Sequence, residues 1–83
     1  MLTAEHARMA RALLKEDQQT VADATGVSVP TLKRWESSSG ALTGAADRVG
    51  ALQRYYEQRG VIFIAENGEG PGVRLRKEAK AAP

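Results

Sequence analysis

The side chains of this sequence that are best suited to bind phosphates and base edges are the adjacent cations Lys33 and Arg34. Projected as a helix at about 100° per residue, residues 29–36 send Leu32 and Trp35 to one side. The opposite side is short, partly apolar and cationic, and it consists of Val29, Pro30, Lys33 and Arg34. Lysine and arginine bind phosphate oxygens and guanine acceptors, and small apolar groups contact thymine methyls. This mixture therefore suits the major groove of DNA.

A tight turn precedes this helix and sets its direction. Gly26 can adopt the left-handed conformation that ends one helix, and Ser28 can cap the next. Val27 and Leu32 have the spacing of a hydrophobic staple, which fixes the angle at which the chain enters a helix. The segment 17–36 is therefore predicted to form two short helices joined by a turn, with the second helix firmly oriented.

The same segment resembles a known family at positions that include both helices and the turn. These positions are Gln18, Gln19, Val21, Ala22, Gly26, Val27, Ser28, Thr31, Leu32, Trp35 and Glu36. Their pattern is similar to the Cro/C1-type helix-turn-helix of phage repressors and related bacterial regulators. The resemblance covers roughly residues 3–60 and implies a mainly helical, four-helix domain like that of lambda repressor, whose second helix of the pair reads DNA.

The resemblance also implies which residues bind DNA, and these are Gln18, Ser28, Val29, Pro30, Thr31, Lys33, Arg34 and Ser38. Gln18 would donate to a phosphate at a helix N-terminus, although a solvated first-turn glutamine is the alternative. Val29 and Pro30 replace the glutamines often found in phage repressors, so we expect thymine-methyl contact there. The serine-rich loop 37–40 meets phosphates or is an ordinary solvated loop. A structural ion pair between Arg11 and Glu36 is implied as well.

Composition limits the remaining possibilities. Eighty-three residues predict one small domain, which buries only about 60% of its unfolded surface and gains from association. The chain has no cysteine and a single histidine, His6, so we expect no metal site, no cofactor, no small-molecule ligand and no catalytic centre. No run is long enough to span a membrane and no signal peptide is recognised, so we expect a cytoplasmic, bacterial protein. The net charge of +2 is mild, so a focused basic patch is required.

Two further helices are predicted to support the pair. The first runs over residues 3–14 with Thr3 as its cap, and its buried stripe is His6, Met9, Ala10, Leu13 and Leu14. His6 is interpreted as structural, because nothing nearby supplies a nucleophile for a general base. The last helix follows a cap at Thr43 and ends at Gly60, with Ala45, Val49, Leu52 and Tyr56 on its buried stripe.

Beyond residue 60 the composition changes to a pattern of strand, glycine-rich loop and strand. We expect a C-terminal β-hairpin over 61–76 that serves for dimerisation, followed by a flexible tail at 77–83. The predicted dimer interface is Leu52, Tyr56, Val61, Ile62, Phe63, Ile64, Val73 and Leu75. Two alternatives stay open: a wing that touches DNA through Arg74 and Arg76, and a sheet packed on its own helices.

We therefore predict a homodimeric, sequence-specific transcriptional regulator of bacterial or mobile-element origin. Residues 1–60 would form its DNA-binding domain and residues 61–76 its dimerisation element. The regulator would bind double-stranded DNA at an inverted-repeat operator, and its most natural action is repression. The alternatives are an antitoxin or adaptor that holds another protein with the hairpin, and an architectural or recombination-directionality protein that bends DNA.

Overall fold

The structure, a computed structural model, describes residues 2–77 as four helices followed by a two-stranded antiparallel sheet. The helices are α1 (Ala4–Leu14), α2 (Gln18–Thr25), α3 (Val29–Glu36) and α4 (Ala46–Gln58), and the strands are β1 (Val61–Ile64) and β2 (Gly72–Leu75). The chain is therefore mainly helical, as predicted. The predicted tail at 77–83 lies, apart from Lys77, outside the described residues, as does Met1.

Side-chain caps begin the first three helices. Thr3, Asp17 and Ser28 each accept a hydrogen bond from the backbone N–H three residues later, at 3.0, 2.8 and 3.3 Å. Each bond satisfies one of the N–H groups that a helix start leaves without a partner. Gly26 ends α2 in the left-handed conformation with φ of 80°. The caps predicted at Thr3 and Ser28 and the turn between α2 and α3 are thereby confirmed.

One cluster of buried side chains draws on every helix and on β1. Its members are Leu2, Ala4, Ala7, Ala10, Val21, Ala22, Val27, Leu32, Trp35, Leu42, Leu52, Tyr56 and Val61. The stripe predicted for α1 was partly wrong, since Leu13 is 38% exposed while Ala4 and Ala7 are buried. α1 turns its alanines inward because small side chains let its backbone approach the loop after α3, where the Ala4 N–H donates to Gly40 O at 2.8 Å.

The start of α4 differs from the prediction. Thr43 does not cap this helix, which begins at Ala46 after Ala45, a residue without a capping side chain. The Thr43 carbonyl instead accepts a hydrogen bond from the Trp35 indole N–H at 3.0 Å. Ala45, predicted on the buried stripe, is exposed. The predicted cap was wrong because the backbone at Thr43 is bound to α3 and the helix starts later.

The hairpin packs on the helices of its own chain. Val61 is 1% exposed, and the Phe63 ring meets the His6 ring edge-on with centroids 5.3 Å apart. His6 also donates from Nε2 to the carbonyl of Ile64 at 2.8 Å, while its Nδ1 accepts the Thr3 N–H at 3.2 Å. α1 and α4 cover the inner face of β1. Burial of its apolar side chains therefore depends on a second copy of the chain much less than expected. Between residues 2 and 77, no helix is long and apolar enough to cross a membrane.

Candidate functional site

α3 presents one exposed arc to solvent while its opposite side is fixed in the core. Pro30, Lys33 and Arg34 are exposed and span an arc of about 100° around the helix axis. We call these three residues the α3 outer arc. On the other side, Leu32 and Trp35 are 0% and 4% exposed. None of the salt bridges found between residues 2 and 77 involves Lys33 or Arg34, so both cations remain available to a ligand.

The first turn of α3 departs from the prediction at Val29. This side chain is partly buried and packs against the core cluster, because it lies next to the buried side of the helix. Its predicted place on the outer face was therefore wrong. Ser28 is exposed, and its hydroxyl donates to the Thr31 hydroxyl at 3.0 Å. A hydroxyl oxygen has two lone pairs, so the hydroxyl pair formed by Ser28 and Thr31 keeps capacity to accept further hydrogen bonds.

The other end of α3 is joined to α1 by an ion pair. Arg11 Nη2 lies 2.7 Å from Glu36 Oε1, and Arg11 Nε donates to Glu36 Oε2 at 2.9 Å. The side chain of Glu36 is 7% exposed and that of Arg11 is 28% exposed. The hydrogen bonds to this carboxylate raise the pKa of Arg11 above its usual value. The structure thus brings together the two residues expected from the sequence to form a pair.

Gln18 also contacts the Glu36 carboxylate. Its Nε2 donates to Glu36 Oε1 at 3.1 Å, which connects the first residue of α2 to the last residue of α3. One N–H of the amide is used in this bond and the other remains, since a glutamine amide carries two donors. The side chain predicted to bind a phosphate therefore also has a partner inside the protein.

Arg8 was missed by the sequence interpretation. Its Nη1 donates to the carbonyls of Glu36 and Ser38, the latter at 2.9 Å. A cation at the C-terminal end of a helix satisfies carbonyls without partners and interacts favourably with the helix dipole. The signal was present, because Arg8 precedes Arg11 by three residues and therefore shares its side of α1.

Ser38 is exposed, but its hydroxyl donates to the Trp35 carbonyl at 2.7 Å, so its predicted phosphate contact would have to exchange this bond.

The basic residues of the hairpin lie away from the α3 outer arc. On α1, His6 contacts the hairpin whereas Arg8 and Arg11 contact the end of α3. At about 100° per residue, these two sides of α1 are nearly opposite. Arg74 lies on β2 and Arg76 follows it. Both are exposed, but they are not brought together with Lys33 and Arg34.

The predicted dimer interface needs correction at three positions. Leu52 and Tyr56 are 0% exposed and Val61 is 1% exposed, all within the core of a single chain. Their side chains have no surface to offer to a second copy. Ile62, Phe63, Ile64, Val73 and Leu75 are partly buried and keep some exposed surface. An interface on the hairpin must therefore use its outer face or its edge.

A second polar cluster joins the end of α4 to the connection between α1 and α2. The Tyr55 hydroxyl donates to Glu16 Oε1 at 2.6 Å and accepts from Arg59 Nη1 at 2.7 Å, and Arg59 also forms an ion pair with Glu16. Burial and the neighbouring Glu16 raise the pKa of Tyr55. Arg59 is therefore engaged within the protein. Tyr55 precedes it by one helical turn, but sequence spacing gave no sign of Glu16, which is far away in the chain.

No protein-family model matches this chain, and no curated protein matches it with significance.

Proposed function

We propose that this protein is a sequence-specific DNA-binding transcriptional regulator that inserts the α3 outer arc into the major groove. The observation that carries this proposal is the exposed arc of Pro30, Lys33 and Arg34 on a helix whose opposite side is anchored by Leu32 and Trp35. A helix held from behind presents its cations in a fixed direction, as base readout requires.

In this proposal α2, the turn at Gly26 and α3 form a helix-turn-helix that resembles those of Cro/C1-type regulators. Arg34 reads a guanine through its forked guanidinium, and Lys33 binds a phosphate. Pro30 contacts a thymine methyl at the end of the helix that enters the groove. Gln18 uses its remaining amide N–H for a backbone phosphate on the flank.

The protein acts as a homodimer in the same proposal. Two copies related by a twofold axis place their α3 outer arcs in successive major grooves, about 34 Å apart, and so bind an inverted repeat. Occupation of such an operator blocks transcription, which makes repression the simplest outcome.

Selection of bound duplexes from a random pool tests the proposal. We expect enrichment of an inverted repeat whose half-sites are separated by about one helical turn. The control is the double variant Lys33→Glu, Arg34→Glu, which changes exposed side chains and should keep its helical circular dichroism. Failure of the parent protein to enrich any sequence, or equal enrichment by this control, would refute DNA recognition by α3.

A further inference from the structure

The edge of β2 that faces away from β1 has no strand partner within residues 2–77. The Arg76 N–H donates to Gly60 O at 2.6 Å, and hydrogen-bonded pairs alternate along an antiparallel ladder. Residues 72, 74 and 76 consequently direct their backbone groups towards β1. The N–H and C=O groups of Val73 and Leu75 point the other way, along the free edge of β2.

An apolar strip on α1 lies on the side of the hairpin. Leu13, at 38% exposure, is the most exposed large hydrophobic side chain in the described part of the chain, and Met9 one turn earlier is partly buried. Both lie within about 60° of His6 around the helix axis, and His6 contacts Ile64 and Phe63. Since α1 packs against β2, the exposed Leu13 lies on the side of α1 that faces the hairpin.

The hairpin separates its charges from one end to the other. The loop at its tip, residues 65–71, carries Glu66 and Glu69 and no lysine or arginine. The returning chain, residues 73–77, carries no acid and holds Arg74, Arg76 and Lys77. Two copies that run antiparallel along their β2 edges bring each acidic tip next to the basic end of the other copy. The charge pattern of the hairpin therefore complements itself under a twofold axis.

We propose that a second copy of this chain pairs with the first along β2, antiparallel, with the two Val73 residues opposite each other. In this register the Val73 N–H and C=O exchange hydrogen bonds with the same groups of the partner, and the Leu75 N–H donates to the partner's Pro71 carbonyl. Arg74 then lies directly opposite Gly72 of the partner subunit. The proposal rests on the homodimer proposed above and gives that homodimer its surface.

Charge repulsion selects this register over its neighbour. A shift by one residue in each copy places the two Arg74 side chains directly opposite each other, and like charges at opposed positions destabilise a sheet. With Val73 at the centre, Glu69 instead comes close to Lys77 of the partner subunit. Pro71 lacks an N–H and removes one hydrogen bond per copy, which limits the pairing to a short stretch and leaves little edge for further chains to add.

Cysteine cross-linking tests the register, because the parent chain has no cysteine. Opposed residues of a non-hydrogen-bonded pair have Cα atoms about 4.5 Å apart, a separation that a disulfide spans. The variants are Gly72→Cys and Arg74→Cys. A Cβ at Gly72 would meet only Ile64, at an ordinary contact distance of 3.8 Å, and Arg74 is exposed. We expect a mixture of the two variants to form covalent dimers under mild oxidation. Each variant alone should form none.

Each other outcome contradicts the proposal in a distinct way. Covalent dimers of either single variant alone would overturn the register. Absence of cross-links in a chain that still sediments as a dimer would overturn pairing along β2. A monomer at all concentrations would overturn the homodimer as well, whereas DNA selection with the parent chain reports recognition by α3 independently. As a charge control, Lys77→Glu should weaken the dimer in sedimentation and Glu69→Lys in the same chain should restore it; loss without restoration would overturn the charge argument.

Discussion

Gln18 and Glu36 are joined by a hydrogen bond of 3.1 Å between amide and carboxylate, so that the start of α2 is bound to the end of α3. Arg11 binds the same carboxylate from α1. At its other end, α3 is fixed by the Ser28 cap. The direction of the α3 outer arc therefore depends on polar contacts at both ends of the helix as well as on the core beneath it.

We expect the ion pair between Arg11 and Glu36 to contribute little net stability through its charges. Removal of one partner alone should destabilise the fold, because the other partner is then left without its hydrogen bonds. Glu36→Gln removes the charge from a carboxylate site that three donor atoms contact, and we expect a loss of about 2 kcal/mol in the free energy of unfolding. The double variant Arg11→Met, Glu36→Leu leaves no buried charge without a partner and should regain most of that loss. Urea unfolding measures both; a double variant at least as unstable as Glu36→Gln would contradict this account.

The two cations of the α3 outer arc should differ in their effect on DNA binding. Arg34→Ala should cost about 1 to 3 kcal/mol at the selected operator and relax preference at one base pair. Lys33→Ala should weaken binding to all sequences similarly and reduce the dependence of affinity on salt. Titrations of labelled duplexes at several salt concentrations distinguish these effects. Unchanged affinity and preference in Arg34→Ala would remove its role as the reader of a base.

Tyr56 and Tyr55 provide a matched pair of hydroxyl deletions. The Tyr56 hydroxyl is buried and, among the described residues, has no hydrogen-bond partner, and burial raises its pKa strongly. Tyr56→Phe should therefore leave the free energy of unfolding unchanged or raise it by about 1 kcal/mol. Tyr55→Phe removes a hydroxyl bound to Glu16 and Arg59 and should lower stability by a similar amount. Thermal unfolding of the two variants checks the contrast, which fails if both are destabilised equally.

Stability should fall in acid partly through the cap of α2. Hydrogen bonds from Thr20 lower the pKa of Asp17 below its usual value. A carboxylate with a lowered folded-state pKa contributes stability that is present above its unfolded-state pKa, near 4, and is lost as the pH falls through the folded-state pKa. Asp17→Asn keeps a capping side chain but cannot titrate. The difference in unfolding midpoint between parent and variant should therefore shrink below about pH 4; a constant difference from pH 7 to pH 2 would exclude this role.

Much of the helical region could be predicted because its determinants are local. A capping hydroxyl or carboxylate acts on an N–H three residues away, so Thr3, Asp17 and Ser28 are recognisable in the sequence itself. The same holds for the left-handed turn at Gly26. The opposed sides of α3 follow from helical periodicity alone at Leu32 and Trp35, and the structure departs from it only at Val29, which lies at the border between the two sides.

The remainder depends on contacts between distant segments. Leucine and methionine suggested the buried stripe of α1, but its alanines face the core because the chain around Gly40 comes close to its N-terminal end. The burial of Tyr56 and Val61 within one chain depends on how the hairpin settles on α1 and α4. His6, whose two ring nitrogens bind Thr3 and Ile64, joins residues that are widely separated in the sequence. Neither propensity nor spacing contains that information.

The indole of Trp35 is the only one in the chain, and it lies behind α3 with 4% exposure, bound to the carbonyl of Thr43. Its fluorescence therefore reports on the packing of α3 against the core. Emission at short wavelength that persists when an operator duplex is added, and shifts to the red only on denaturation, would give an intrinsic optical signal for folding that is separate from ligand occupancy.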